Sequence, residues 1–232
     1  MTPRAPIAVA LDSSDVETAA RWAHAVAPYV QALKVGLELF CRQGPEVLKT
    51  VRGASGVDLF LDLKLHDIPT TVAAAASAVA RFKPRYLTVH AVGGSAMVRA
   101  AVDAAPEVRI AAVTVLTSLD ASGLNEIGLA GPPLDAVRRL AALAVAAGAR
   151  ALVCSPHEVA ALRTEVGPDV DLITPGVRPA GSAAQDQARV ATPQQALADG
   201  ANLLVIGRPI TGATDPGAAA AALAAALAPS LT

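Results

Sequence analysis

Eight short apolar runs, rich in valine, isoleucine and leucine, recur along the chain and alternate with alanine-rich segments. Near-continuous apolar strands are typical of parallel sheets that are covered on both faces by crossover helices. Eight β-α units in a chain of 232 residues predict an α/β fold, a (β/α)8 TIM barrel forming a single domain over residues 1–232. A doubly wound open sheet is the alternative, because a strand count does not show closure. The runs span residues 7–12, 32–37, 59–64, 86–91, 110–116, 151–156, 171–176 and 202–207.

Serine, proline and glycine mark the ends of about eight helical segments between these runs. The clearest segments are 14–28 after a serine suited to an N-cap, 70–81 after Ile-Pro, 133–147 beginning with proline, and 216–227. The sequence GARALV (148–153) is echoed by GANLLV (200–205), which indicates a repeated unit in which glycine ends a helix before a strand. No linker or low-complexity segment interrupts the pattern, which supports one domain.

Composition and charge argue against several classes of function. The net charge of −1 provides no basic field for nucleic acid or an anionic membrane, and an aromatic content of only 3% disfavours base stacking. Cys41 and Cys154 lie far apart, in neither metal-ligand nor disulfide spacing, which indicates a reducing compartment. The opening MTPRAPIAVALD has an apolar run too short for a signal peptide or a membrane span. We therefore expect a cytoplasmic protein without nucleic-acid or membrane partners.

The third apolar run carries charges that a buried strand ordinarily lacks. In the stretch DLFLDLKLHDIP, Asp62 and Lys64 alternate with leucines, and strand side chains alternate between two faces. Because the leucine face must meet the surrounding helices, Asp62 and Lys64 are expected to point into the barrel mouth, with Asp67 in the loop just beyond. Asp12 and Lys34 end the preceding runs and point to the same rim. Active sites of such barrels lie at the carboxyl ends of the strands, so these charges predict the active site.

The lysines of this charged group suggest proton transfer. Alternating charges can hold a lysine charged and a carboxylate ionised in a partly dry site. Lysine can give up a proton as a general acid, whereas arginine cannot. Only four of the 19 basic residues are lysine, so the presence of Lys34 and Lys64 in an arginine-biased chain favours such a role. The alternative is a structural ion-pair network that seals the top of the barrel.

The ends of the last two strands predict an anion site. Strand seven runs into TPGVRPAG and strand eight ends in IGRPI, and the loops after these two strands commonly bind phosphate in such barrels. Gly207 lets a backbone N–H approach an anion, while Arg178 and Arg208 can add forked donors. We expect the small, polar segment 176–189 to form a lid that carries Gln187 as a further donor. Either arginine alone would also fit an exposed loop, and it is their joint placement that favours phosphate.

Other motifs give weaker signals. His24 and His157 fall in helical segments and are expected at the surface, while His66 and His90 are expected to pack and hydrogen-bond near the charged group. The sequence contains no Walker or dinucleotide-binding fingerprint and no Ser-His-Asp or Cys-His arrangement. The aspartates of the charged group would suit Mg²⁺, but the two lysines among them would compete with it. The sequence therefore predicts neither a metal nor a cofactor.

The stretch FLDLKLHDIPTTV (60–72) resembles the signature of the orotidine 5′-phosphate decarboxylase family, whose enzymes make UMP. This signature is specific, since it combines an Asp-x-Lys-x-x-Asp pattern with Ile-Pro-x-Thr. The resemblance continues in family order along the whole chain. Its further segments are VALD (9–12), LKVGLELF (33–40), VTVLTS (113–118), TPGVRP (174–179) and VIGRPI (205–210).

The resemblance implies a decarboxylation that needs neither a cofactor nor a metal. Lys64 would deliver a proton to C6 of the substrate as carbon dioxide leaves, with Asp62 beside the substrate carboxylate. Asp12 and Lys34 would hold the ribose hydroxyls and the charge network. The catalytic residues implied in this way are Lys34, Asp62, Lys64 and Asp67.

The resemblance also implies a homodimer and the remaining substrate contacts. Asp67, Ile68 and Thr71 would contact substrate, and Asp67 and Thr71 would do so by reaching into the active site of the partner subunit. Thr117 would contact the pyrimidine. The phosphate would be bound by Arg178, Gln187, Gly207 and Arg208. The loop at 119–133 has no role that the motifs assign.

Two alternatives remain at the level of sequence. Mg²⁺-dependent sugar-phosphate decarboxylases and aldolases of the same suprafamily share the Asp-x-Lys-x-x-Asp strand and a similar phosphate end. Lys34 and the Ile-Pro-x-Thr extension argue against them, because the relatives carry an acidic residue in place of Lys34. A non-catalytic barrel that binds a phosphorylated ligand is the other alternative. That interpretation predicts loss of Asp62 or Lys64, and both are present.

Overall fold

The computed structural model describes residues 4–178 and 191–228. Its eight parallel strands pair in sequence order, and β8 pairs with β1 to close the barrel. This closure confirms the predicted (β/α)8 barrel and excludes the open sheet. The strands are β1 Ala5–Ala10, β2 Val30–Gly36, β3 Asp58–Leu65, β4 Tyr86–His90, β5 Arg109–Val113, β6 Ala151–Val153, β7 Asp171–Thr174 and β8 Leu203–Ile206.

Helices cover the outside of the barrel. The described residues contain eleven α-helices rather than about eight, because a short additional helix follows each of β2, β5 and β8. None of the helices within 4–178 and 191–228 has the length and apolar composition needed to cross a membrane. The helices are α1 Val16–Val26, α2 Leu37–Gln43, α3 Glu46–Ser55, α4 Pro69–Ala80, α5 Gly94–Ala104, α6 Ala121–Glu126, α7 Pro133–Ala146, α8 Val159–Val166, α9 Pro193–Ala198, α10 Arg208–Thr211 and α11 Pro216–Leu227.

The first helix begins at Val16, two positions later than its sequence signal suggests. Asp15, rather than a serine, is the N-cap of α1, and its carboxylate accepts from the backbone N–H of Glu17 and Thr18. Ser13 instead bonds the backbone of Asp15 through its hydroxyl group. A carboxylate at this position also complements the positive end of the helix dipole, which explains why aspartate takes the cap.

The two echoed glycines end their helices in the same way. Gly148 has φ +101° and Gly200 has φ +108°, a left-handed conformation that glycine adopts without steric cost. The N–H of Ala149 bonds the carbonyl of Ala144, and Gly148 bonds Val145, which is the Schellman pattern. The same pair of bonds surrounds Gly200. Each glycine therefore turns the chain directly from a helix into the next strand.

The lower half of the barrel interior is filled by a closed layer of side chains. Phe60 and Tyr86 meet edge to face in this layer, with ring centroids 5.6 Å apart. A separate, larger apolar core lies between the strands and the helices. The interior layer takes one residue from each strand: Ala8, Ala32, Phe60, Tyr86, Ala111, Ala151, Ile173 and Leu203. Because this layer blocks the barrel from below, a ligand can enter only from the carboxyl ends of the strands.

Ion pairs and hydrogen bonds close the amino-terminal end of the barrel. The Tyr86 hydroxyl donates to Asp171 at 2.7 Å, Arg109 pairs with the same carboxylate, and Arg85 pairs with Asp58 at 3.0 Å. Burial, together with the neighbouring Asp171, raises the pKa of Tyr86 to about 12. Tyr86 thus remains a neutral donor at ordinary pH.

Candidate active site

A cavity of about 320 Å³ opens at the carboxyl ends of the strands. Val113, Val153 and Val205 form part of its apolar wall, and Phe60 is its floor. Polar residues from six strand ends surround this wall. The sequence-predicted site residues that line the cavity are Asp12, Lys34, Asp62, Lys64, Thr117, Arg178, Gly207 and Arg208.

Four charged side chains form one continuous chain of ion pairs across β1, β2 and β3. Lys34 Nζ lies 3.3 Å from Asp12 Oδ1 and 3.3 Å from Asp62 Oδ2. Lys64 Nζ lies 2.8 Å from Asp62 Oδ1. The side chains of Lys34 and Asp62 are only 10% and 11% exposed, whereas that of Asp12 is 59% exposed. The signs alternate along the chain, as the sequence predicts, and its centre is largely withdrawn from water.

Asp62 is ionised despite its burial. Burial alone would raise the pKa of this carboxyl, but the charges of Lys34 and Lys64 oppose that effect. Hydrogen bonds from Lys64 and Thr88 add to them, and the pKa is held below its ordinary value of 3.8. The site therefore presents a fixed carboxylate between two ammonium groups at neutral pH.

The backbone of β3 departs from regular strand geometry where these charges lie. Leu61 pairs with Leu87 and Leu65 with Val89, so three β3 residues face the single β4 residue Thr88. Lys64 has φ +49°, the left-handed region that non-glycine residues rarely adopt. Such a conformation costs about 1–2 kcal/mol for an ordinary residue, so the surrounding contacts must maintain it.

Gly36 leaves room for the ion-pair chain. It pairs with Asp62 in the β2–β3 ladder, at the position where β2 ends. A Cβ atom built on Gly36 would lie 3.0 Å from Lys34 Nζ and 3.1 Å from Asp12 Oδ1. Any larger residue here would thus displace the ammonium that bridges the two carboxylates.

The predicted phosphate end also lines the cavity. Arg178 follows β7 and is only 8% exposed, while Gly207 and the exposed Arg208 follow β8. In strand order, β7 lies across the barrel from β3, so the arginines and the Asp62–Lys64 pair approach the cavity from different sides. Gln187 and most of the predicted lid at 176–189 lie outside the described residues.

The part of the cavity wall that follows β5 and β6 contains one predicted contact residue and several residues that the sequence did not predict at the site. Thr117 lines the cavity beside Val115 and Leu116. Cys154 also reaches the cavity, but it is buried, and burial raises the pKa of its thiol to about 12. A thiol in this state is not a nucleophile at neutral pH.

The start of α4 faces away from the subunit's own cavity. Asp67, Ile68 and Thr71 are exposed, and within the described part of the chain they are not among the cavity-lining residues. The sequence predicts Asp67 in the loop just beyond Asp62 and Lys64, and therefore close to their charges. Its carboxylate instead accepts from the backbone N–H of Ile68 at 2.6 Å, and the described lysines and arginines form no ion pair with it. The turn ahead of α4 directs these side chains outward.

The histidines lie where the sequence predicts, although within the described residues the rings of His66 and His90 form no hydrogen bond. His24 and His157 are exposed. His66 and His90 pack near the charged group, with ring centroids 5.7 Å apart. Burial, helped by His66 and Lys64, lowers the pKa of His90 from 6.5, so this ring is neutral at pH 7. In the segments that the structure describes, no three His, Cys, Asp or Glu side chains are grouped as a metal site would require.

Comparison with known proteins identifies the family of this chain. The family model described as "Orotidine 5'-phosphate decarboxylase / HUMPS family" matches residues 5–223. The chain belongs to this family. The orotidine 5'-phosphate decarboxylase of Thermobifida fusca is 73% identical over 223 residues, covering 96% of each chain. That of Frankia casuarinae is 60% identical, covering 97% of this chain and 88% of the relative.

Solved structures agree with the assignment to the orotidine 5'-phosphate decarboxylase / HUMPS family. The crystal structure of orotidine 5'-phosphate decarboxylase from Lactobacillus acidophilus has a TM-score of 0.82 at 37% identity. The alignment covers 95% of this chain and 97% of that chain. The barrel and the order of its units are thus those of the family.

Two residues that support the site were not found from the sequence. Thr88 is an ordinary strand residue by composition, and its role appears only where the β3–β4 register changes. Gly36 falls inside the family segment LKVGLELF but carries no side chain that could suggest chemistry. Only weak sequence signals could have indicated these two residues. They are a threonine opposite a charged strand and a glycine two residues after a buried lysine.

Proposed function

We propose that this protein decarboxylates orotidine 5′-phosphate to UMP and carbon dioxide in de novo pyrimidine biosynthesis, using neither a cofactor nor a metal ion. The observation that carries the proposal is the 2.8 Å ion pair between Lys64 and Asp62 at the mouth of a cavity that also contains two arginines. The family membership and the highly similar relatives support the same reaction.

Lys64 supplies the proton in this mechanism. The bond between C6 and the substrate carboxyl breaks, carbon dioxide leaves, and the electron pair stays on C6 as a carbanion. An ammonium positioned beside C6 stabilises the developing negative charge and then transfers a proton to the carbon. Lys64 is left as a neutral amine and regains its proton from solvent. Its side chain is 30% exposed, which allows that exchange.

Asp62 and Lys34 set the electrostatics of this step. The Asp62 carboxylate holds the Lys64 ammonium at 2.8 Å, and it lies where the substrate carboxylate would approach. Two carboxylates in proximity disfavour the bound substrate relative to the state in which carbon dioxide has left. Lys34, held between Asp12 and Asp62, balances the site and contacts the ribose hydroxyls together with Asp12.

The phosphate group provides binding energy at a distance from the reacting carbon. Arg178, Gln187, Gly207 and Arg208 bind it, and Thr117 contacts the pyrimidine from the β5 side. The arginines supply forked, charge-assisted donors, and Gly207 permits close approach of the backbone. Binding energy from a remote group can be used to position the reacting centre.

A cytoplasmic homodimer completes the proposal. Asp67 and Thr71 reach into the active site of the partner subunit and contact the substrate bound there, and Ile68 is a further substrate contact. Exposed apolar side chains follow three neighbouring strands, with Leu37 50%, Ile68 64% and Val92 43% exposed, and they support an interface there. Both cysteines are free thiols, which suits a reducing compartment.

The ion pairs that the carboxylates of Asp12 and Asp62 form with lysine support a reaction without a metal ion. Lys34 Nζ lies between Asp12 Oδ1 and Asp62 Oδ2, the place that a divalent cation shared by these oxygens would take. The remaining oxygen of Asp62 accepts from Lys64 and Thr88. An Mg²⁺-dependent sugar-phosphate reaction would need these oxygens as ligands.

The test is a decarboxylation assay with excess EDTA. Purified protein is mixed with orotidine 5′-phosphate, and the ultraviolet change and UMP formation are followed. Turnover in EDTA supports the proposal. Activity on a sugar phosphate that requires Mg²⁺, without turnover of orotidine 5′-phosphate, would replace it with the Mg²⁺-dependent alternative. Absence of both activities, with binding of nucleotide phosphates retained, would leave a non-catalytic barrel.

A further inference from the structure

We propose that Thr88 is a positioning residue that holds Lys64 in its left-handed conformation and so aims the ammonium into the cavity. The inference rests on the decarboxylation proposed above and adds a residue to it. Thr88 lies on β4, outside the charged segment of β3, and it does not line the cavity within the described residues.

The strand register places Thr88 opposite the irregularity. Leu61 and Leu65 keep their partners on β4, and only Thr88 stands between those partners. Asp62, Leu63 and Lys64 therefore lack a regular set of backbone partners on that side. The backbone N–H of Lys64 instead donates to the Thr88 hydroxyl at 2.8 Å. A side-chain oxygen thus replaces the carbonyl that a regular ladder would have offered.

The same hydroxyl is bonded in the other direction to the catalytic carboxylate. Thr88 Oγ1 donates to Asp62 Oδ1 at 3.0 Å, and Lys64 Nζ donates to that oxygen at 2.8 Å. Thr88 is 0% exposed, so no water competes for these bonds. A hydroxyl has one proton to donate, and donating it to the carboxylate leaves a lone pair for the N–H of Lys64. Each bond strengthens the other in such a chain.

Loss of the hydroxyl would release both ends of this arrangement. The Lys64 N–H would lose its partner in a partly buried position, which favours a shift of the backbone away from φ +49°. The Asp62 carboxylate would lose one of its donors at the same time. Both changes move the Lys64 ammonium relative to the substrate, while the phosphate end on β7 and β8 is untouched.

The test compares Thr88→Val, which keeps the shape but removes the hydroxyl, with Thr88→Ser, which keeps the hydroxyl. We expect Thr88→Val to lower kcat about tenfold to a hundredfold, and Thr88→Ser to stay within about threefold of the wild type. UMP affinity should change less than about twofold in both. Thr164→Val, on the exposed face of α8, is the matched control and should leave kcat unchanged.

The pH profile separates positioning from a purely structural role. Asp62 is faced by Lys34 from β2, Lys64 from β3, and Thr88 and His90 from β4, with Asp12 behind Lys34. Removal of the Thr88 donor should shift the acid limb of kcat/KM to higher pH in Thr88→Val and not in Thr88→Ser. A loss of activity with an unmoved acid limb in both variants would overturn the inference.

A readout without substrate keeps the inference testable if Thr88→Val folds poorly. The amide proton of Lys64 should be protected from hydrogen exchange in the wild type, because its acceptor is buried. Rapid exchange of that amide in the wild type would overturn the inference. If the wild type decarboxylates and Thr88→Val retains full kcat, the inference about Thr88 is overturned and the proposed function stands. If the wild type fails to decarboxylate, the proposed function is overturned as well.

Discussion

Lys34 on β2 and Asp62 on β3 lie side by side at the barrel mouth, with Nζ 3.3 Å from Oδ2. Each is also bonded to a charge of the opposite sign on its other side, Asp12 in one case and Lys64 in the other. Removing one member therefore leaves a partly buried neighbour without compensation, which is costly even where the pair itself adds little stability. The order of charges thus determines both the chemistry and the sensitivity of the site to mutation.

Asp62→Asn should lower the free energy of unfolding by about 2 kcal/mol at pH 7, because Lys34 and Lys64 lose the negative charge between them. The pKa of Asp62 is held below 3.8 in the folded protein, so its contribution is present above that value and is lost as the pH falls through the folded-state pKa. Urea unfolding at pH 7, 4 and 3 measures this effect. The difference in free energy of unfolding between wild type and Asp62→Asn should become smaller as the pH falls. The exposed control Asp169→Asn should not differ from the wild type in this way. A difference that is the same at all three pH values would contradict the electrostatic explanation.

Gly36→Ala should lower kcat about tenfold, because a Cβ at 3.0 Å from Lys34 Nζ pushes the ammonium out of its bridging position. The stability should change little, since the displaced atoms are at the ends of side chains. Gly53→Ala is the control, because its Cβ would meet nothing within 4 Å on α3. Steady-state kinetics of both variants measure this effect. A Gly36→Ala variant with the kcat of the wild type would show that Lys34 tolerates displacement.

Arg208→Ala should weaken UMP binding about tenfold to a hundredfold and leave uridine binding unchanged, because the role proposed for this arginine is to bind the phosphate alone. Isothermal titration calorimetry with both ligands separates the two effects. Arg42→Ala removes an exposed arginine that pairs with Glu38 on α2 and should affect neither ligand. An equal loss of affinity for UMP and uridine, or no loss for either, would contradict a phosphate-binding role for Arg208.

Mixing two inactive variants should restore activity if Asp67 acts in the partner's site. A heterodimer of Lys64→Ala and Asp67→Asn subunits contains one site with Lys64 from one chain and Asp67 from the other. Random pairing of equal amounts would then give about a quarter of the wild-type activity. If Asp67 served its own subunit, every site in the mixture would lack one residue and no activity would return.

Much of the fold followed from the sequence because the apolar pattern is regular. Period-two alternation in β3 correctly turned Asp62 and Lys64 toward the mouth, and the glycine echoes correctly marked the ends of two helices. The short helix α6 went unassigned because it is only six residues long and lies in a segment without apolar periodicity. Its N-cap, Asp120, resembles any loop aspartate in sequence.

The details of the site depended on contacts that alternation cannot reveal. Alternation gives the face of a side chain but not the local register, so the left-handed φ of Lys64 and the two bonds to Thr88 were not predictable. The outward direction of Asp67 depends on the turn that begins α4, which its position three residues after Lys64 does not specify. Long-range packing decided both features.

Lys64→Ala tests most directly whether Lys64 delivers the proton to C6 of the substrate. Steady-state and single-turnover assays with orotidine 5′-phosphate should show a loss of about 10⁴-fold or more, with UMP affinity largely kept. Lys64→Arg should be similarly impaired, because arginine keeps the charge but does not release a proton. Lys49→Ala, which removes an exposed lysine paired with Glu46, should match the wild type. Turnover by Lys64→Ala within about tenfold of the wild type would contradict the mechanism.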